Sequence, residues 1–143
     1  MVRDVLVDSN VLLDVITYDP QWGGWSASVL TEVASCARIV INPIIFAEVS
    51  VGFRHPEELA QALPPDLAVR EPLPYMAAFL AGKAYKVYRQ KGGQKTSPLP
   101  DFFIGAHATV MGYRLLTRDP KPYRTYFPKV ELIAPMDRLF PLG

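Results

Sequence analysis

The sequence predicts an α/β fold, a parallel sheet covered by helices on both faces. Short aliphatic and β-branched runs recur at Val5-Leu6-Val7, Arg38-Ile39-Val40-Ile41, Leu115-Leu116 and Val130-Glu131-Leu132-Ile133. The first of them has no polar residue at all, as expected of a strand buried on both faces. Between these runs lie segments of helical period, so strands alternate with helices along the chain, the pattern of βαβ units. The third observation is bulk composition. With 143 residues, half of them hydrophobic and 20% charged, the chain reads as a single domain, 1–143, with a substantial core rather than as a disordered polymer.

The elements follow in order. Val5 to Val7 is the first strand, ended by Asp8. Asn10 fits the N-cap of a short helix, Val11 to Ile16. Thr17 to Gly24 is a loop, with turn signals at Asp19-Pro20 and Gly23-Gly24. Trp25 to Ala37 has apolar residues at helical spacing (Trp25, Val29, Val33, Cys36). Arg38 to Ile41 is a second buried strand. Asn42-Pro43 is a strong helix start, an N-cap followed by proline at the first helical position. The helix from Pro43 to Gly52 turns Ile44, Ile45, Phe46 and Val49 inward and carries Glu48 as its one acid. His55 to Leu63 is a further helix, and Leu67-Ala68-Val69 a short strand. Pro74 to Lys91 is the longest helix, with Lys83, Lys86, Arg89 and Lys91 on its second half. Gly92 to Pro98 is a flexible loop by composition. Pro100 opens a helix from Asp101 to Gly112, Leu115-Leu116 is a core strand ending at Thr117, and Arg118-Asp119-Pro120 is a turn before the last strand.

Several classes are excluded by composition. The longest apolar stretch, Ile39 to Ala47, is broken by Asn42-Pro43 and is too short to cross a bilayer. The N-terminus lacks the basic and apolar regions of a signal peptide. Cys36 is the only cysteine, so neither an internal disulfide nor a thiolate metal cluster can form. A soluble, cytoplasmic protein is expected. The net charge of +1 hides an asymmetry: residues 1–71 balance at −6 and residues 72–143 at +7. An acidic half beside a basic half suits an anionic polymer held near a metal.

The alternation of strands and helices also places the acids. Asp8 and Asp119 fall at or just past the carboxyl ends of strands, where open parallel sheets bind their ligands. A crossover helix runs antiparallel to its strands, so it begins at that same edge. Asp101 lies in the first turn of one such helix. Glu48 lies one turn into another, and helical side chains lean back toward the N-terminus. Taken singly, each acid has a structural reading: Asp8 as a turn cap, Glu48 as surface decoration, Asp119 as a turn residue before Pro120. Together they can converge. Converging carboxylates must take up protons or share a cation. With no clustered His or Cys the donor set is all oxygen, which favours Mg²⁺ or Mn²⁺ over zinc. Such an ion can activate water beside a phosphodiester. Asn10, Ser9 and Thr117 can orient that water.

Asp8-Ser9-Asn10-Val11-Leu12-Leu13-Asp14, Glu48 on its helix, Pro100-Asp101-Phe102-Phe103-Ile104-Gly105-Ala106-His107-Ala108 and Leu115-Leu116-Thr117-Arg118-Asp119 together resemble the PIN domain, most nearly the VapC-like toxins of toxin–antitoxin pairs. Each motif alone is common; four in this order and spacing are specific. The resemblance runs from Asp8 to Ile133. It implies a three-layer α/β/α sandwich with a five-stranded parallel sheet. It implies a Mg²⁺- or Mn²⁺-dependent endoribonuclease, usually a homodimer, with a cognate antitoxin. By position, Asp8, Glu48, Asp101 and Asp119 match its acidic, metal-holding quartet, and Asn10 and Thr117 its polar support. His107 receives no catalytic role.

Other residues carry two readings. Lys83, Lys86, Arg89, Lys91 and Lys95 can track RNA phosphates or form a solvated helix face. Tyr85 and Tyr88 can stack bases, though core packing is the favoured reading. Arg118, Lys121 and Arg124 flank Asp119, where a phosphate or a partner's acids would meet them. Asp14 reads as a solvated or salt-bridged acid, and Tyr18, Trp22 and Trp25 as buried aromatics or a partner patch. Two rival functions remain. An aspartyl phosphatase wants an acid where Asn10 stands, and an amide cannot donate that proton. A non-catalytic RNA- or partner-binding module has no need of the acids.

Overall fold

The computed structural model describes residues 3–94 and 99–135. Lys95 and the rest of the segment 95–98 lie outside them. Five parallel strands form the sheet: β1 (Val5–Val7), β2 (Ile39–Ile41), β3 (Val69–Arg70), β4 (Arg114–Leu116) and β5 (Leu132–Ile133). The helices among the described residues are α1 (Ser9–Ile16), α2 (Gly23–Ala34), α3 (Pro43–Ser50), α4 (Pro56–Ala62), α5 (Tyr75–Gln90), α6 (Leu99–Met111) and α7 (Lys121–Tyr126). The result is the expected α/β/α sandwich.

Strand order is β3-β2-β1-β4-β5. The chain builds outward from β1 through β2 to β3, then returns to β1's other side with β4. The reversal falls between β1 and β4, and such a switch point opens a crevice at the carboxyl edge. The central strands are fully apolar because both faces are covered. Every residue of β1 and β2 is buried, as are Leu115 and Leu116 of β4.

The register fixes what lies on the carboxyl edge. Val7 pairs with Leu116, Leu6 with Val40, Ile41 with Arg70 and Leu116 with Ile133. One residue further along, the edge therefore reads Glu71, Asn42, Asp8, Thr117, Ala134 across the sheet. Backbone bonds continue the ladder into this row: Asp8 N–H to Leu116 O, Glu71 N–H to Ile41 O and Thr117 N–H to Ile133 O. Adjacent members stand roughly 5 Å apart, the strand spacing.

Three sequence expectations change. The first helix begins at Ser9, with Asp8 rather than Asn10 at its N-cap position and no side-chain cap bond. Asn10 is drawn into the helix because its amide has partners across the sheet edge. The second helix runs Gly23–Ala34, two residues earlier at its start and three earlier at its end than the expected Trp25 to Ala37. The segment after Asp119 is not only a turn: Pro120 leads into α7. Six residues are too few for a readable period, so the sequence does not announce this helix. Asn42 behaves as expected, its Oδ1 accepting from Ile45 N–H at 2.9 Å. On α3, Ile45 and Val49 are buried, whereas Ile44 and Phe46 are only partly so.

An aromatic cluster joins α5, α6 and α7. Phe102 makes edge-on contacts with Tyr85, Tyr88 and Tyr126, and a tilted contact with Phe127. Tyr85 and Tyr88 are thereby packing residues. Gly105 permits this closeness: a Cβ there would meet the Phe127 ring at 2.3 Å. Phe127 is itself buried, so the ring has little room to yield. Gly105→Ala is expected to cost about 1–3 kcal/mol of stability, the scale of overpacking a core, read as a lower midpoint in urea unfolding.

Candidate active site

Asp8 ends β1 as a buried carboxylate, 4% exposed. Its Oδ2 accepts from Thr117 Oγ1 at 2.9 Å and from Tyr123 Oη at 2.9 Å, with Asn10 Nδ2 at 3.5 Å. Thr117 is its neighbour in the edge row, which explains why a hydroxyl one strand away can reach it. Asn10 Nδ2 also donates to Thr117 Oγ1 at 3.3 Å. Ser9 Oγ donates to Glu48 Oε1 at 2.8 Å, drawing α3 against the start of α1. The hydroxyls of Ser9 and Thr117, which the sequence offered as supports for water, thus bind the carboxylates directly.

Asp101 opens α6, half-buried, with Tyr123 Oη 3.3 Å from its Oδ1. Asp119 is the exposed member, at the outer rim, its N–H donating to Thr117 Oγ1 at 3.1 Å. Electrostatics couples the group. Burial, then the charges of Asp8 and Glu48, push Asp101 up to about 7, while the Tyr123 bond pulls the other way. Burial also raises Asp8, against hydrogen bonds from Thr117 and Tyr123, and raises Glu48, against the bond from Ser9. Burial and the charges of Asp8 and Asp101 raise the Tyr123 phenol well above its usual value, so it keeps its proton.

The donor set is all oxygen, and among the described residues no three His, Cys, Asp or Glu side chains are grouped so as to hold a metal ion as they stand. The acids share an edge and feel one another's charge; they are not a preformed chelate. That fits a hard cation such as Mg²⁺, which is usually held by one or two carboxylates and keeps several waters. It does not fit a four-ligand structural metal.

Other expected residues are placed differently. Arg118 is turned inward: its Nε donates to Asp14 Oδ2 at 2.7 Å and its guanidinium lies over Trp22, 5.8 Å from the ring centroid. Asp14 is buried and also accepts from Ser26 Oγ, so it is salt-bridged and not solvated. Arg118 is therefore occupied by a structural pair, in place of the phosphate contact its position beside Asp119 indicates. Trp22 meets Trp25 edge-on, while Tyr18 is exposed. Lys83, Lys86 and Arg89 are exposed on α5. The end of α5 stands near the acidic edge, because Tyr88 packs on Phe102, next to Asp101.

His107 is fully buried and bonded on both ring nitrogens. Asn42 Nδ2 lies 3.0 Å from Nδ1, and Glu71 Oε1 lies 2.8 Å from Nε2. Because Asn42 Oδ1 already accepts from Ile45, its amide must donate to Nδ1, which leaves Nε2–H to donate to Glu71. Tyr113 Oη donates to Glu71 Oε2 at 2.7 Å, and burial with that bond pushes the phenol up to about 12. This network braces α6 against the outer half of the edge row. Sequence reasoning missed Tyr123 and Glu71 altogether. Neither belongs to a local motif; their partners are distant in sequence and adjacent only through the sheet.

The fold and this edge define a class: a doubly covered parallel-sheet protein with carboxylates gathered at the carboxyl edge beside the switch point. A family model of the PIN domain matches residues 5–128, and the chain belongs to that family. No curated protein matches. Among solved structures, the chain is similar to VapBC2 from Rickettsia felis bound to a DNA fragment from their promoter (20% identity, TM-score 0.71, covering 91% of this chain and 97% of that one). It is also similar to DNA-bound VapBC from Salmonella typhimurium (18%, 0.69, 94% and 98%) and to FitAcB from Neisseria gonorrhoeae (17%, 0.68, 92% and 98%). At these identities the likeness is one of fold.

The Asp101 shift sets a pH dependence. Unfolded, this carboxyl ionises near 3.8; folded, near 7. Between those values the native state binds more protons, so stability falls as pH rises. In chelator, the melting temperature is expected to drop from pH 5 to pH 8, with a flatter profile in Asp101→Asn, as read by thermal melts.

Proposed function

We propose that this protein is a metal-dependent endoribonuclease and the toxin of a toxin–antitoxin pair, acting in the cytoplasm. The observation that carries the reading is the gathering of Asp8, Glu48 and Asp101, with Asp119 at the rim, beside the switch point of the sheet. Family membership supports nuclease chemistry. The VapBC and FitAcB structures support a protein antitoxin as partner. No helix among the described residues is long and apolar enough to cross a membrane.

In this reading Asp8 and Asp101 hold the principal cation, with Glu48 and Asp119 completing its surroundings. Mg²⁺ or Mn²⁺, when bound, neutralises the carboxylates, acidifies water and stabilises charge on the phosphate. The chain's own residues do the rest. Glu48, fixed by Ser9, accepts a proton from attacking water. Thr117 and Asn10 hold Asp8 in place. Lys83, Lys86 and Arg89, with Lys95, receive RNA phosphates flanking the cleaved bond. Arg118, tied to Asp14, supports the crevice wall.

Asp101→Asn is expected to keep the fold and lower cleavage of an RNA pool at least a hundredfold, with EDTA abolishing it in wild type; these are order-of-magnitude losses for removal of metal-site charge. Products mapped by end-labelling should carry 5′-phosphate and 3′-hydroxyl ends. Chelator-resistant cleavage leaving 2′,3′-cyclic phosphates would overturn the mechanism. RNA binding without cleavage in Mg²⁺ would identify a non-catalytic module instead.

A homodimer is part of the proposal. The first half of α5 leaves Tyr75, Met76 and Phe79 at 94%, 66% and 63% exposed, an apolar face of the kind that marks an interface. Sedimentation should give a dimer mass for wild type and a monomer for Phe79→Glu.

A further inference from the structure

Tyr123 lies on α7, and its ring is fully buried. Its hydroxyl nevertheless reaches the acidic edge, 2.9 Å from Asp8 Oδ2 and 3.3 Å from Asp101 Oδ1. A phenol has one proton to donate. That proton lies between the two carboxylates, with Asp8 at the shorter contact and Asp101 at the longer. On the Asp8 side, Oδ2 accepts from Tyr123 and Thr117 at 2.9 Å each, with Asn10 Nδ2 at 3.5 Å. Ser9 Oγ lies 3.5 Å from Oδ1, but that hydroxyl's proton goes to Glu48 at 2.8 Å. The Ser9 backbone N–H also bonds the Asp8 carboxylate. The short side-chain hydrogen bonds to Asp8 thus converge on Oδ2.

We propose that Tyr123 is a positioning residue for the cation of this site. Its hydroxyl ties Asp8 to Asp101 across the gap between β1 and α6. It thereby sets the separation of the two carboxylates that would hold the cation. The proposal deepens the metal-dependent reading above and rests on it. Tyr123 itself touches no reacting atom. Because a buried ring in a close-packed interior has no alternative seat, the brace is rigid. The two acids would therefore present themselves to a cation at a set spacing.

The test is Tyr123→Phe in the full chain, which preserves the ring and removes the brace. Mn²⁺ binding is titrated by electron paramagnetic resonance, with wild type and Asp101→Asn alongside, and melting is followed with and without Mn²⁺. Tyr123→Phe is expected to fold, to bind Mn²⁺ roughly tenfold to a hundredfold more weakly, as when other outer partners of ligands are removed, and to lose most of the Mn²⁺-induced rise in melting temperature. A purely structural hydroxyl would lower melting equally with and without Mn²⁺ and leave affinity at the wild-type value, which overturns the proposal. If wild type binds Mn²⁺ and Asp101→Asn does not, while Tyr123→Phe binds as wild type does, only the role of Tyr123 falls. If wild type binds no Mn²⁺, the metal-dependent reading falls with it. Should Tyr123→Phe fail to fold, 3-fluorotyrosine at position 123 gives the same decision: its ¹⁹F resonance is expected to move on adding Mg²⁺, and an unmoved resonance overturns the proposal.

Discussion

The burial of one carboxylate at the end of the central strand is the constraint on which the rest of the structure depends. Asp8 follows three apolar residues that are wholly out of water, and the sheet carries it most of the way in with them. A buried acid without partners is expensive. The surrounding chain is arranged to supply them: Thr117 just past β4, Tyr123 from α7, Asn10 from the first turn of α1. Each donor comes from a different segment, so satisfying Asp8 also fixes how those segments meet.

The packing that holds this arrangement is aromatic as much as aliphatic. Phe102 neighbours Asp101 in the chain and is gripped by Tyr85, Tyr88, Tyr126 and Phe127. The position of Asp101 is thus set by the seating of Phe102, and the seating of Phe102 requires that residue 105 have no side chain. On the other side of Asp8, Asn42 caps α3 with one end of its amide and holds His107 with the other. The edge row is consequently rigid on both flanks. What stays accessible is the stretch between them, where Asp101 and Asp119 approach Asp8 and where charge remains uncompensated. A group of acids held together yet short of a closed cage is suited to a cation that keeps water and substrate among its ligands.

Much of this was legible in the chain. The apolar runs placed β1, β2 and β4 to within a residue and β3 and β5 to within two, because continuous burial leaves a local signature. Asn42-Pro43 announced α3, since capping chemistry is local. The carboxyl-edge placement of Asp8, Glu48 and Asp101 followed from strand–helix alternation alone. Legibility failed where partners are distant. Asn10 looked like an N-cap by type and spacing, but its amide is directed to Thr117. Arg118 looked free beside Asp119, but Asp14 holds it. Helix α7 was too short to show a period, and Tyr123 was hidden with it.

By itself the sequence determined the parallel α/β architecture and the acids' place at one edge, because periodicity, capping and strand polarity act over a few residues; the family came from the likeness of its four motifs. Only the tertiary structure decided which groups bond Asp8, which cations are already paired and which phenol joins two carboxylates. Those outcomes depend on hydrogen-bond distances between segments far apart in the chain, and such distances exist only once the sheet has brought its strand ends into one row.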